Sequence, residues 1–164
     1  LVYGPGNRGN LAAMVEAIRR GRFPPIPDTG NRRSLVHVRD VVQACRLAVI
    51  DRDPDFDSDL DVEGGGVYQI TDGVGCSTRE LYDRIRAALG MPHQDWAIPY
   101  GLLKAAALCG DLGGAVLRRR LPLDSAALGK LCGSAHYSCA AARERLGYRP
   151  TVTFREGVRD LIAG

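Results

Sequence analysis

Arg33-Ser34-Leu35-Val36-His37-Val38-Arg39-Asp40 is the stretch where the chain changes periodicity. Ser34 to Val38 is a short apolar run that predicts a strand. Asp40 then opens a helix through about Ile50, with Val41, Ala44, Cys45 and Ala48 as its apolar stripe. A strand feeding directly into a helix is the unit from which α/β folds are built.

Upstream, Asn10 is placed to cap a helix from about Leu11 to Arg20, with Leu11, Met14, Val15 and Ile18 on one face and Gly21 as the stop. Phe23-Pro24-Pro25-Ile26-Pro27 is too rich in proline for a helix or a central strand, and predicts an extended segment. A polar turn, Asp28-Thr29-Gly30-Asn31, follows it. Leu1-Val2-Tyr3 reads as the end of a buried strand entering the turn Gly4-Pro5-Gly6, so the chain is expected to be part of a longer one.

Downstream, Asp51 to Asp61 is acidic and loop-like. Asp53, Asp55, Asp57, Ser58, Asp59 and Asp61 alternate as in a calcium loop, but the glycine and glutamate such a loop needs are missing, which excludes an EF-hand. Gly64-Gly65-Gly66 leads into a predicted strand, Val67 to Ile70. Ser77 or Thr78 caps a helix to Leu89, with Glu80 completing a capping box and Gly90 ending it. Ile98 to Leu117 is the most apolar stretch, but it contains Lys104, Asp111 and three glycines, and Arg118-Arg119-Arg120 follows. It reads as a core helix ending or bending between Cys109 and Gly114, not as a membrane span. Ser138 caps an amphipathic helix from Cys139 to Leu146, stopped by Gly147, and a last helix begins near Thr153 or Phe154.

The 164 residues suffice for one cored domain, with 45% hydrophobic and 25% charged residues, as in soluble globular proteins. A net charge of +3 is too small to argue for nucleic acid and suits a pocket for an anionic ligand. Five cysteines without a CxxC pair argue against a disulfide framework or a zinc site, and for buried free thiols in a reducing, cytoplasmic setting. No metal site is expected.

Four blocks in this order resemble the extended short-chain dehydrogenases/reductases of the NAD-dependent epimerase/dehydratase family, which act on nucleotide sugars. They are Leu1-Val2-Tyr3-Gly4-Pro5-Gly6, Arg33 to Asp40, Val67-Tyr68-Gln69-Ile70-Thr71-Asp72, and Ala142-Arg143 with Leu146-Gly147-Tyr148-Arg149-Pro150. Asn31 to Val36 and Leu131-Cys132-Gly133-Ser134 further resemble bacterial enzymes acting on UDP-linked N-acetylated sugars in polysaccharide synthesis. Ser138 stands where the family often has Asp, and alanines replace its Lys in the following helix.

The resemblance implies an incomplete, Rossmann-like α/β fold, mainly the C-terminal substrate-binding subdomain. Residues 1–6 would be the tail of the Rossmann half, and residues 35–50 and 67–71 would pack back onto it. It implies a UDP-sugar ligand, with the missing N-terminal Rossmann half as partner and NAD or NADP held by the full-length enzyme. Arg33 would sit on the diphosphate, where a guanidinium forks to two oxygens. Asn10 would touch the phosphate or sugar, Ser134 would donate its hydroxyl to phosphate, and Ile26 and Pro27 would flank the uracil through backbone groups. Lys130 and Arg118 to Arg120 are further basic candidates, and Arg32 reads as surface.

His37 reads as a structural histidine in an apolar strand. No G-x-x-G-x-x-G follows a strand, and none of the six tyrosines has Lys four residues on, so the Tyr-x-x-x-Lys of these enzymes is absent. No catalytic residue and no cofactor are therefore expected in this chain alone, which is expected to be inert and prone to self-association. The alternatives are a UDP-sugar dehydrogenase or reductase of the same family, and a non-catalytic binding or regulatory protein with an epimerase-like fold.

Overall fold

In the computed structural model, residues 1–50, 67–117 and 124–163 are described. They divide into two compact units. The acidic run from Asp51 to Asp61, Gly64-Gly65-Gly66 and Arg118-Arg119-Arg120 lie outside the described residues.

The first unit takes the described residues of Leu1–Leu11, Ser34–Gly75 and His136–Gly164. Its centre is a parallel pair, β1 (Val2–Tyr3) and β2 (Val36–His37), with Val2 opposite Val36 and Tyr3 opposite His37. Parallel strands need a crossover, and helix α1 (Asn10–Arg19) lies between them in sequence. The strand expected over Ser34 to Val38 is shorter, because α2 (Val38–Ile50) starts two residues before Asp40. At that junction the Arg39 N–H donates to His37 Nδ1 at 3.2 Å, turning the backbone out of the strand.

Gly4 enables the turn after β1. Its φ is +146°, and a Cβ there would stand 2.6 Å from Val38 Cγ1. Tyr3 packs edge-on against His37 and against Phe154 of α7 (Phe154–Ala163), each at 5.1 Å between ring centroids. Beside them, Ala44 of α2 meets Cys139, Tyr148 and Ala142 of α6 (Ala140–Leu146). Cys139, not the expected Ser138, is the cap residue of α6 and makes no side-chain cap bond; Ser138 stands one residue earlier, its hydroxyl accepting the Ala140 N–H at 3.2 Å, and Gly147 ends α6 at φ +62°.

The strand predicted at Val67 to Ile70 does not form. Its side chains do alternate: Tyr68 and Ile70 pack on the Tyr148 cluster while Val67 is exposed. A strand also needs a ladder, and between Val67 and Asp72 the only backbone bond among the described residues runs from the Asp72 N–H to Leu35 C=O.

The second unit takes the described residues of Ala12–Arg33 and Cys76–Ala135. Ser77 caps α3 (Thr78–Ala88) by accepting the Glu80 N–H, as the sequence indicates. Glu80 lies below the usual carboxylate range: burial pushes it up, but Cys76, Arg84 and the Ser77 backbone outweigh that. α4 (Tyr100–Leu117) runs through Gly110, Gly113 and Gly114 without the expected break. Glycine inside a helix costs only about 1 kcal/mol relative to alanine, which packing offsets. Leu103 and Ala107 of α4 form a core with Ile26 and with Leu128 of α5 (Ser125–Cys132).

α5 has no counterpart in the sequence reading; Asp124 caps it by accepting the Ala127 N–H. Among the described residues no helix is long and apolar enough to cross a membrane. All five cysteines are free; Cys76 and Cys139 are buried as expected, whereas Cys45 and Cys109 are exposed.

Candidate functional site

The segment from Ile26 to Arg33 is laid along the start of α3 by three ties, all within the second unit. Arg33 and Cys76 exchange backbone hydrogen bonds, N–H to C=O at 2.9 Å and back at 3.0 Å. Asn31 and Thr78 are joined through their side chains: Asn31 Nδ2 donates to Thr78 Oγ1 at 2.7 Å, and the Thr78 N–H donates to Asn31 Oδ1 at 3.2 Å. Arg79 donates from Nη1 to the Ile26 carbonyl at 3.2 Å.

Asn31 extends the knot to the end of α5, reaching the Leu131 and Gly133 carbonyls at 3.3 Å each. It is buried, at 4% exposure, and its amide is satisfied on both sides. The sequence signal was a polar residue after a glycine turn, which reads as solvent-facing; only long-range partners reveal it as a buried anchor.

This frame presents Arg33. The side chain is half-buried, its Nε is buried without a hydrogen-bond partner, and no ion pair engages it among the described residues. Burial lowers its pKa, partly opposed by the nearby Cys132 thiol; burial in turn raises that thiol, with Arg33 opposing. An arginine held in partial burial without a carboxylate gains most from an anion that can take two parallel hydrogen bonds.

Ser134 lies next to it in space. A backbone bridge joins Arg33 to Ala135, and Ser134 Oγ accepts the Arg32 N–H at 3.1 Å, leaving its hydroxyl hydrogen to donate. Lys130, on α5, and Arg32 are exposed. Ile26 puts its side chain into the core with Leu103, Ala107 and Leu128, so only its backbone and the half-buried Pro27 are left for a ligand.

Asn10 belongs to the first unit. It is exposed and is the first residue of α1 rather than the residue before it, so it does not cap the helix as expected. The turn it closes, Gly4-Pro5-Gly6-Asn7-Arg8-Gly9, has glycines at dinucleotide-binding spacing between β1 and α1, a signal not drawn from the sequence. The turn is closed on itself: the Asn7 N–H donates to Gly4 C=O at 3.3 Å, and the Gly9 N–H to Asn7 Oδ1 at 2.6 Å. Pro5 has no N–H, and the Asn7 and Gly9 N–H groups are spent within the turn.

No protein-family profile matches the chain. Individual relatives do. A 2-alkyl-3-oxoalkanoate reductase of Stenotrophomonas maltophilia is 30% identical over 99% of this chain and 48% of its own length. A UDP-glucose 4-epimerase of Mycolicibacterium smegmatis is 32% identical over 98% of this chain and 42% of its own. The crystal structure of UDP-glucose 4-epimerase from Thermotoga maritima with UDP-glucose superimposes with a TM-score of 0.56 at 22% identity, over 99% of this chain and 42% of that one.

Over nearly its whole length the chain is thus similar to parts of UDP-glucose 4-epimerases and of a reductase. It spans about half the length of the relatives it matches, and it has the incomplete α/β fold that the resemblance implied.

The motif from Arg33 to Asp40 divides between two tasks. Arg33 faces the site in the second unit, while His37 and Asp40 are fully buried in the first. Asp40 accepts from the Thr151 N–H at 2.9 Å, the Thr151 hydroxyl at 2.6 Å and the Val152 N–H at 3.2 Å. It therefore fixes the segment leading into α7. His37, with Asp160 Oδ2 3.5 Å from its Nε2, packs under that helix, in keeping with its structural reading.

Proposed function

We propose that this chain forms the nucleotide-sugar-binding part of an NAD(P)-dependent sugar epimerase/dehydratase, with a UDP-sugar as ligand. A single observation carries the reading: the half-buried Arg33, without an ion-pair partner among the described residues, follows Arg32, whose N–H donates to Ser134 Oγ. A diphosphate offers what that pair lacks, which is permanent negative charge and paired oxygens. Arg33 forks to the diphosphate, Ser134 donates one further bond, and the Ile26–Pro27 backbone flanks the base.

The cofactor, when bound, accepts and returns hydride at the sugar ring. It would be held by a Rossmann half, since the Tyr-x-x-x-Lys of these enzymes is absent from this sequence. This chain contributes binding and aim, and is inert by itself.

The test is Arg33→Ala in a protein that joins this chain to its Rossmann half. Loss of a charge-assisted contact predicts about 1.5–3 kcal/mol weaker UDP-sugar binding, with kcat little changed, because the diphosphate is the same in ground and transition states. Arg33→Lys restores part of the loss, and Arg32→Ala serves as the control. Binding of UDP-sugar by Arg33→Ala at parental strength would move the diphosphate elsewhere.

A second reading, a reductase of a ketone without a nucleotide, draws on the 30% identity to the Stenotrophomonas enzyme. It requires that UDP not bind at all, so calorimetry with UDP separates the two.

A further inference from the structure

Phe23-Pro24-Pro25-Ile26-Pro27 has few ways to hold a fixed position. Three of its residues are prolines without an N–H, so the segment cannot join a ladder. Its backbone ties among the described residues are the Phe23 N–H to Ala17 C=O at 3.2 Å and the Ile98 N–H to Pro25 C=O at 2.9 Å. Among the described residues, the one side chain that reaches it with a hydrogen bond is Arg79.

Arg79 is built as a clamp. Nη1 donates to the carbonyls of Ile26 at 3.2 Å and Trp96 at 3.4 Å, and Nη2 donates to the carbonyl of Gln94. Nε pairs with Asp83 at 2.9 Å, one helical turn along α3. The guanidinium lies 5.7 Å from the Tyr82 ring centroid, and that ring stacks on Phe23 at 5.9 Å. The Tyr82 hydroxyl donates to the Gln94 side chain at 2.6 Å, so the same pair of α3 residues holds both the proline segment and the loop before Ile98.

We propose that Arg79 is a positioning residue for base selectivity. By fixing the Ile26 carbonyl against the Gln94 and Trp96 carbonyls, it sets the backbone edge that meets the nucleotide base. The inference rests on the assignment of Ile26 and Pro27 to the base. Arg79 touches no part of the ligand and acts through the segment it holds. A rigid edge discriminates between bases by leaving mismatched polar groups unpaired; an edge free to shift accommodates both.

The experiment measures Kd for UDP and for ADP, in the protein joining this chain to its Rossmann half. The parent is expected to prefer UDP. Arg79→Ala is expected to lower that preference about tenfold, the size of effect when a charge-assisted hydrogen bond is lost, while NAD affinity stays unchanged. Arg79→Gln keeps the stem over Tyr82 and a single amide donor, and is expected to fall between the two. It also provides the readout where Arg79→Ala fails to fold.

A variant that binds both nucleotides more weakly but keeps the parental UDP-to-ADP ratio overturns the proposal, because a purely structural arginine acts in that way. A parent that binds UDP and ADP equally removes the base segment itself, and Arg79 with it. A parent that binds neither instead overturns the nucleotide-sugar reading.

Discussion

Asp40 is a carboxylate with no exposure and three donors aimed at it. Asp40→Asn keeps one acceptor but turns an amide N–H₂ toward donors that need an oxygen. The expected loss is about 2–3 kcal/mol, the cost of stranding buried donors, read from urea midpoints at constant slope. Arg39→Ala, one residue away and with 71% of its side chain exposed, should move the midpoint little. Asp72 behaves in the opposite sense. Burial raises its carboxyl pKa, opposed by the N–H groups of Val74 and of Asp72 itself. Its folded pKa thus lies above the unfolded one, so ionisation costs stability above the folded pKa, and that cost disappears below the unfolded pKa. Asp72→Asn can still accept the Val74 N–H, now at 3.0 Å. The variant should melt higher than the parent at pH 7, and by a smaller margin, or none, at pH 3–4. Arg33 was marked as a site candidate because the resemblance places it on the diphosphate, where a guanidinium can fork to two oxygens. Asn31, Asp40, Asp72 and Arg79 look like ordinary turn or helix-surface residues until partners as far as 112 positions away are known.

The helices were legible wherever a cap and a stop coincide with apolar spacing. Ser77 with Glu80, Ser138, and the glycines at 21, 90 and 147 mark ends that hold to within a residue or two. The misses have physical causes. Val67 to Ile70 has the alternation of a strand without a neighbour to bond, and α4 passes three glycines because Leu103 and Ala107 are held in a core. Two glycines in helices separate packing from propensity. Gly157 in α7 faces β1 and β2, where an added Cβ would stand 2.6 Å from Tyr3 Cε2 and 2.9 Å from His37 Cδ2. Gly157→Ala is expected to destabilise by about 1–3 kcal/mol through overpacking. Gly129 in α5 has nothing within 4 Å of such an atom, and Gly129→Ala is expected to stabilise by about 0.5–1 kcal/mol. Denaturant midpoints that shift alike for both would mean that α7 does not press on Tyr3 as described.

For the whole molecule, the question is which apolar surface awaits a cover. On α2, Val38, Val42, Cys45 and Val49 are all exposed, at 37%, 55% and 76% for the three valines, and they recur at the spacing of one helical face. Val2 on the neighbouring strand β1 is 55% exposed, and the parallel pair has no third strand among the described residues. A helix stripe of this kind beside an open parallel pair is normally buried by the rest of an α/β sheet. The chain is therefore expected to self-associate when made alone and to form a one-to-one assembly when its Rossmann half is supplied, measured by light scattering after gel filtration. Val42→Lys with Val49→Lys should leave the lone chain monomeric and abolish that assembly. A second apolar face, Leu102, Leu108 and Leu112 on α4, gives the control. If Leu108→Lys with Leu112→Lys relieves self-association and the α2 pair does not, the surface that brings copies together lies on α4. A monodisperse, cooperatively melting monomer of the unchanged chain would mean that neither face needs a cover. In that event the exposed stripe on α2 would be an ordinary solvated surface.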